Sequence, residues 1–258
     1  MVAYAKETDA IVLNCTDHGE SDIIVTLFCQ DVGRLTAIAK GAKKSKRRFV
    51  NKLELFSFLH ITYQQKANSS LAFLAEAELH CSFLHIRRNF EIYSVASVIR
   101  EFLLVGVREN EPDIQIFRLS LWAFHNLDQK HPPKTILTLF LIRFYDHIGY
   151  RPDLQTCAHC RLQVTDQNSY SFDTTIGRLV CSNCKSHSQK QFSVSHGTIK
   201  ILRSAQDQAL ERLHRLKMSG SILHEAISLL QSYGNQLFQR DIMSWKSVRR
   251  FISHKNGK

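Results

Sequence analysis

Long hydrophobic runs are absent from this sequence of 258 residues. The longest apolar stretches, such as Ile136 to Ile142, are interrupted by threonine and are far too short to span a bilayer. The first ten residues, MVAYAKETDA, lack the apolar core of a signal peptide. These absences argue against a membrane protein and against an exported one, and we expect a cytosolic location.

Motifs of the common catalytic sites are also missing. The chain has no GxxxxGKS/T loop for a nucleotide phosphate, no HExxH and no GxSxG. His18-Gly19-Glu20 together with a CxxC pair resembles pieces of a zinc deaminase site, but Thr156 stands where that site has proline, and the pieces lie too far apart. Because no pair of nucleophile and base is visible, we expect that the protein is not an enzyme.

Positive charge is in excess, but it is confined to two segments. The chain has 44% hydrophobic and 22% charged residues, as a globular protein has, and a formal net charge of +11. Arg34 to Lys52 contains eight basic residues and no acid, and Arg240 to Lys258 contains six basic residues and one acid. The rest of the chain has 20 basic and 22 acidic residues. Such localised charge indicates an anionic partner, most often nucleic acid.

The first eighty residues predict a small β-barrel, which we expect to span residues 1–80. Five short segments are rich in Ile, Val, Leu, Phe and Thr and are separated by polar turns. The segments are residues 10–15, 22–30, 34–39, 55–63 and 71–79. Gln30 to Leu35 (QDVGRL) supplies an Asp and a Gly for the turn between the second and third strands.

From about Arg87 onward the hydrophobic period changes from two to between three and four, which predicts amphipathic helices. Three apolar stripes carry this period. They are Ile92, Ala96, Ile99, Leu103; Ile114, Phe117, Leu121, Phe124; and Ile136, Phe140, Phe144. Ser195 and the SGS at 219–221 begin two later helices, the first carrying apolar residues as far as Leu216. The prediction is an α+β multidomain protein, whose helical domain (81–153 and 191–258) is interrupted by a cysteine-containing insert (154–190).

Four of the seven cysteines form two CxxC pairs with twenty residues between them. They are Cys157, Cys160, Cys181 and Cys184. Two such turns can close a tetrahedron of thiolates around one ion, which indicates a single structural Zn²⁺ that stabilises an insert too small for its own core. Gly177 predicts the hairpin that brings the two pairs together. Redox-active thiols are the alternative, and His159 and His187 are alternative ligands.

The segment AKGAKKSKRRFVNK, residues 39–52, connects the third and fourth predicted strands. Its cations can neutralise phosphates whatever the base sequence, although a charge run that is merely solvated is the alternative. Gly41 allows close approach of the backbone, and Phe49 is either a ring on which a base stacks or a core residue. The residues predicted to contact nucleic acid are Arg34, Lys40, Lys43, Lys44, Lys46, Arg47, Arg48 and Phe49. Candidates to extend this surface are Arg87, Arg88, Arg249 and Arg250.

Residues 10–49, AIVLNCTDHGESDIIVTLFCQDVGRLTAIAKGAKKSKRRF, resemble the N-terminal signature of the bacterial recombination mediator family RecO. That signature joins an IVL strand, a Gly-Glu-x-Asp turn, a GRL turn and an AKG followed by basic residues. Here the turn ends at Asp22, and the AKG is residues 39–41. The two CxxC pairs, with Phe172 and Gly177 between them, resemble the zinc module of the family, and WKSVRRFI (245–252) resembles its C-terminal end.

The resemblance implies an OB-fold for the barrel, a helical domain with a zinc finger, and no nucleotide hydrolysis. Members of the family bind single- and double-stranded DNA, anneal complementary strands without ATP, and help to load RecA at gaps coated by single-stranded DNA-binding protein. The implied protein partners are RecR, the acidic C-terminal tail of that binding protein and, indirectly, RecA, at the nucleoid of the bacterial cytoplasm. The residues alone also allow a zinc-ribbon adaptor that binds only acidic proteins.

Overall fold

The computed structural model describes residues 4–65, 69–185 and 191–252. The chain forms two compact units, Met1–Phe124 and His125–Lys258. The division into four segments that the sequence suggested stays a prediction. Within the described part of the chain, every helix is too short or too polar to cross a membrane.

Five strands form a closed barrel in the first unit, which confirms the predicted OB-fold. They are β1 (Lys6–His18), β2 (Asp22–Cys29), β3 (Gly33–Ala39), β4 (Phe58–Gln64) and β5 (Ala72–Cys81). Their order around the barrel is β1-β2-β3-β5-β4, and β1 closes on β4. The β3–β5 pair is parallel, and the other neighbours are antiparallel. Alternation along β3 places Leu35, Ala37 and Ala39 inside, because successive side chains of a strand point to opposite faces.

The fourth strand begins at Phe58 rather than at Leu55, where the sequence pattern suggested. The chain turns at Phe56, whose φ is +72° and whose side chain is fully buried. Its ring packs edge-on against Tyr93, with the ring centres 5.4 Å apart. The apolar residues before Phe58 therefore serve a buried turn rather than a strand.

Eight helices are present within the described residues. They are α1 (Leu84–Arg88), α2 (Phe90–Gly106), α3 (Ile114–Asp128), α4 (Pro133–His147), α5 (His196–Asp207), α6 (Leu210–Leu213), α7 (Gly220–Phe238) and α8 (Trp245–Ile252). Ser195 accepts a hydrogen bond from the Thr198 N–H and caps α5, as predicted. All four residues of the first predicted stripe, Ile92 to Leu103, are buried in α2.

The helix predicted to continue from Ser195 to Leu216 ends at Asp207 instead. Arg143 of α4 donates hydrogen bonds to the carbonyl oxygens of Gln206 (2.7 Å) and Gln208 (3.0 Å). These carbonyls lie at the helix end, where no intrahelical N–H is available to them. A distant arginine thus caps the carbonyl groups at the C-terminal end of α5.

The cysteine-containing segment forms a small sheet in the second unit. Its strands are β6 (Asp153–Cys157), β7 (Tyr170–Asp173), β8 (Arg178–Cys181) and β9 (Gln191–Val194), in the order β6-β8-β7-β9. The hairpin predicted at Gly177 is confirmed, since β7 and β8 pair antiparallel around it. Tyr233 of α7 packs edge-on against Phe172 of β7 at 5.5 Å and against Tyr145 of α4 at 5.1 Å. These rings join the sheet to the helices of the same unit.

Candidate nucleic-acid interface and metal centre

The first residues of the basic loop, residues 40–52, are hydrogen-bonded to the turn of the β1–β2 hairpin. The Asp22 carboxylate accepts a hydrogen bond of 2.8 Å from the Gly41 N–H, and the main-chain carbonyl oxygen of Ser21 accepts one of 3.0 Å from the Lys43 N–H. The Gly41 N–H, and after it the Ser21 hydroxyl, hold the pKa of the Asp22 carboxyl below its usual value. Gly41 has φ +68°, which other residues adopt only with strain. The Gly-Glu-x-Asp turn and the AKG motif, which are separate in sequence, are therefore hydrogen-bonded to each other.

Phe49 holds the other part of the basic loop to the barrel. Its side chain is 3% exposed and belongs to the barrel core beside Leu53, and its N–H donates to the Ser45 hydroxyl at 3.1 Å. The guanidinium of Arg48 lies over the Phe49 ring, 5.1 Å from its centre. Of the two roles that the sequence left open, the core role is the one observed. The ring is not accessible to a base in this position, so the buried role is the one that the structure favours, and contact of Phe49 with nucleic acid stays a prediction.

Three cations of the basic loop are used to position it. Lys43 Nζ lies 3.0 Å from the Asp17 carboxylate of the hairpin. Arg48 and Lys52 donate to main-chain carbonyl oxygens of β5 at 3.4 and 2.7 Å. Bonds to neutral carbonyls leave the positive charges of Arg48 and Lys52 uncompensated, so both still contribute to the local potential.

The remaining four cations of the basic loop are exposed. They are Lys40, Lys44, Lys46 and Arg47. Within the described part of the chain, no carboxylate forms an ion pair with any of them. Long side chains of this kind, fixed at their backbones and free at their charged ends, suit contact with phosphates of any sequence.

Arg34 is not part of this surface. It lies at the start of β3, and the five strand residues 35–39 separate it from the basic loop, so that Arg34 and Lys40 are about 20 Å apart at the usual rise per residue. Its guanidinium donates to the carbonyl oxygen of Leu104 and lies 3.3 Å from the Glu109 carboxylate. We therefore leave Arg34 out of the proposed DNA surface.

The candidates for extending the surface differ in their surroundings. Arg87 lies 3.6 Å from the Glu54 carboxylate, and Arg88 is exposed. The side chains of Arg249 and Arg250 lie outside what the structure describes.

The four cysteines of the two CxxC pairs come together as a group that could hold a metal ion. Their sulfur atoms all lie within 4.8 Å of one another, and Cys160 Sγ is 3.7 Å from Cys181 Sγ. Zn–S bonds of about 2.3 Å at tetrahedral angles place the sulfurs about 3.8 Å apart, which this spacing fits. His159 is not a member of the group, and His187 lies outside the described residues.

Main-chain N–H groups prepare one of these thiols for metal binding. Burial disfavours the Cys157 thiolate, but hydrogen bonds from the N–H groups of Cys181, Cys160 and His159 outweigh it and lower the pKa of Cys157 to about 6. The thiolate is the form that binds a metal. The first CxxC turn thus supplies the Cys157 sulfur and two of the three N–H groups that stabilise its charge, and the third comes from Cys181.

Comparison with known proteins places the whole architecture in one family. Residues 1–83 match the family model described as Recombination protein O N terminal, and residues 87–246 match Recombination protein O C terminal. Proteins named DNA repair protein RecO are similar along most of the chain. The one from Syntrophobacter fumaroxidans is 31% identical, covering 81% of this chain and 83% of its own length. Those from Syntrophus aciditrophicus and Desulfatibacillum aliphaticivorans are 29% and 32% identical, covering 93% and 88% of this chain and 93% and 89% of their own. The chain, with its barrel, helical region and four-cysteine module, belongs to the RecO family of DNA repair proteins.

Proposed function

We propose that this chain is a recombination mediator that binds single- and double-stranded DNA through the basic loop and anneals complementary strands without ATP. The observation that supports this most is the state of Lys40, Lys44, Lys46 and Arg47. They are exposed and, among the described residues, unpaired, on a loop that Asp22 and Phe49 attach to a closed barrel. In OB-folds the loop between the first two strands contributes to nucleic-acid binding, and the basic loop packs against that hairpin here.

The proposed mechanism is electrostatic. Each phosphate that a cation neutralises releases a counterion, so strands of any sequence bind. Two strands held on one cationic surface repel each other less than they do in solution, and base pairing then completes the reaction. The attached loop loses little conformational entropy on binding, because its backbone is already fixed. No step requires nucleotide hydrolysis or catalysis by the protein itself.

We extend the proposal to partners and location. In a repair pathway the chain acts with RecR, contacts the acidic C-terminal tail of single-stranded DNA-binding protein, and helps to load RecA on coated gaps. This role places it in the bacterial cytoplasm, at the nucleoid. The family membership and the name of the relatives, DNA repair protein RecO, support this assignment.

We also propose that the ion held by the four cysteines is zinc in a structural role. Four thiolates complete a tetrahedral shell, so no position is left for a reacting molecule. The bound ion would fix the small sheet, whose strands have only four or five residues each.

Salt-dependent DNA binding tests the role of the basic loop. The test variant changes Lys44, Lys46 and Arg47 to Ala, and the control changes Lys6, Arg108 and Arg118, which are exposed residues of the same compact unit. Both variants lose three charges. If the three loop cations each contact a phosphate, the slope of log affinity for single strands against log salt flattens by about 2 in the loop variant.

The control should keep the wild-type slope. If the slope of log affinity against log salt is the same in the two variants, the basic loop does not contact DNA. Absence of DNA binding by the wild type would favour the adaptor that binds only acidic proteins.

A further inference from the structure

Two histidines and one aspartate from three strands converge on the outer wall of the barrel. Asp9 lies on β1, His60 on β4 and His80 on β5. His60 Nδ1 and His80 Nε2 lie 2.9 Å and 3.3 Å from the same oxygen, Asp9 Oδ1. The three side chains are 34–41% exposed, so the cluster is open to solvent.

The sheet positions these side chains firmly. Asp9 and His60 are directly opposite in the β1–β4 ladder. On β5 the register shifts by one residue, since Leu79 pairs with Leu59 and Cys81 with Phe58. His80 is the extra residue of this bulge, and a bulge changes the direction in which a side chain points. The ring of Phe58 lies 4.9 Å from that of His80 and restricts its movement.

The spacing of the ligand atoms fits a small transition-metal ion. Bonds of about 2.0–2.1 Å at tetrahedral angles place ligand atoms about 3.3 Å apart. The distances of 2.9 and 3.3 Å are close to this, and all three ligand atoms lie within 4.8 Å of one another. Glu7 Oε2 lies 3.8 Å from His60 Nε2, the nitrogen that points away from Asp9. Metal-binding histidines commonly direct their second nitrogen to a carboxylate, and Glu7 lies on that side of His60, although beyond hydrogen-bond distance.

The charge of the surrounding wall also favours a cation. The ladder places Glu7 and Glu76 on either side of Thr62, and Glu78 beside His60. All three glutamates are exposed. Carboxylates on one surface raise the local concentration of cations. Two imidazoles with one carboxylate suit zinc and similar ions, whereas magnesium and calcium prefer sites made of oxygen alone.

We propose that Asp9, His60 and His80 bind a divalent transition-metal ion, zinc foremost, at a site separate from the four cysteines. The ion joins β1, β4 and β5 where the barrel closes. Three protein ligands leave one coordination position to solvent. This site does not depend on the DNA-binding function proposed above.

Cobalt substitution of the full-length protein tests the site, because thiolate ligands and nitrogen or oxygen ligands give different spectra. Elemental analysis should find two equivalents of Co²⁺ bound to the wild type. In a titration, the intense absorption from the thiolate ligands should reach its maximum after one equivalent of Co²⁺. The double variant His60→Asn, His80→Gln should bind one equivalent and keep the full thiolate absorption. The control His125→Gln, which changes an exposed histidine outside the cluster, should bind two.

The wild-type measurement is decisive even if the double variant folds poorly. One equivalent of cobalt in wild-type protein with saturated thiolate absorption overturns the proposal, since the cluster is then only a hydrogen-bonded group. Two equivalents in a folded double variant also overturn it, because the second ion then binds elsewhere.

Discussion

At the scale of single residues, Phe49 decides how the basic loop is held. Phe49→Ala should lower the free energy of unfolding by about 3–5 kcal/mol, the usual cost of emptying a buried aromatic site. Val50→Ala is the control, since Val50 is 45% exposed and its loss should cost no more than about 0.5 kcal/mol. Phe49→Leu keeps much of the buried volume without the ring, so we expect DNA affinity to remain near that of the wild type. Weakened DNA binding by a stable Phe49→Leu protein would restore the stacking role.

Asp22 is the second residue on which the loop depends. Because its pKa is lowered in the folded state, its contribution to stability is complete above the unfolded value of about 3.9 and is lost as the pH falls through the folded pKa. The amide resonance of Gly41, which donates to Asp22, should therefore shift in that acid range. In Asp22→Ala the shift should disappear and the amide should exchange faster at neutral pH. An unchanged acid titration of Gly41 in this variant would contradict the contact.

At the scale of elements, the β7–β8 hairpin depends on the absence of a side chain at Gly177. A Cβ there would lie 2.6 Å from the hydroxyl of Tyr233, and φ is +67°. Gly149 has φ +85° but open space around it, so Gly149→Ala should cost only the backbone strain of about 1–2 kcal/mol. Gly177→Ala should cost clearly more, since Tyr233 is enclosed by other rings. Chemical denaturation compares the two variants, and equal losses would show that Tyr233 moves aside freely.

The four-cysteine sheet should depend on its metal. Removal of the ion by a chelator should lower the unfolding temperature, and it should abolish the thiolate absorption of the cobalt-substituted protein. Cys160→Ser, which leaves three thiolates, should lower the unfolding temperature and weaken that absorption. Cys81→Ser is the control, because Cys81 is half-buried and lies outside the group. Unchanged absorption in Cys160→Ser would remove this residue from the ligand set.

At the scale of the whole molecule, patterns local in sequence were predictable and contacts between distant residues were not. The period of two in residues 10–79 predicted the barrel strands, and the two CxxC turns predicted the four-sulfur group. The true start of β1, at Lys6, is polar and becomes visible only through its pairing with β4. The carbonyl groups at the end of α5 are bonded by Arg143, which lies more than sixty residues earlier in the chain.

The candidate sites follow the same rule. The basic loop is continuous in sequence, so its charge was evident, whereas the burial of Phe49 and the ion pair of Arg34 depend on the fold. His60 lies 51 residues from Asp9 in sequence, and His80 lies 71 residues from it. No spacing motif relates them, and only the closure of the barrel with its bulge at β5 brings them together.

Annealing of complementary single strands, measured without any nucleotide, tests the central claim most directly. We expect the wild type to accelerate annealing, the control variant of Lys6, Arg108 and Arg118 to match it, and added ATP to change nothing. The basic-loop variant, in which Lys44, Lys46 and Arg47 are replaced by Ala, should lose most of the acceleration and depend less on salt than the wild type does. A requirement for ATP, or a basic-loop variant as active as the wild type, would contradict annealing by the charge of this loop.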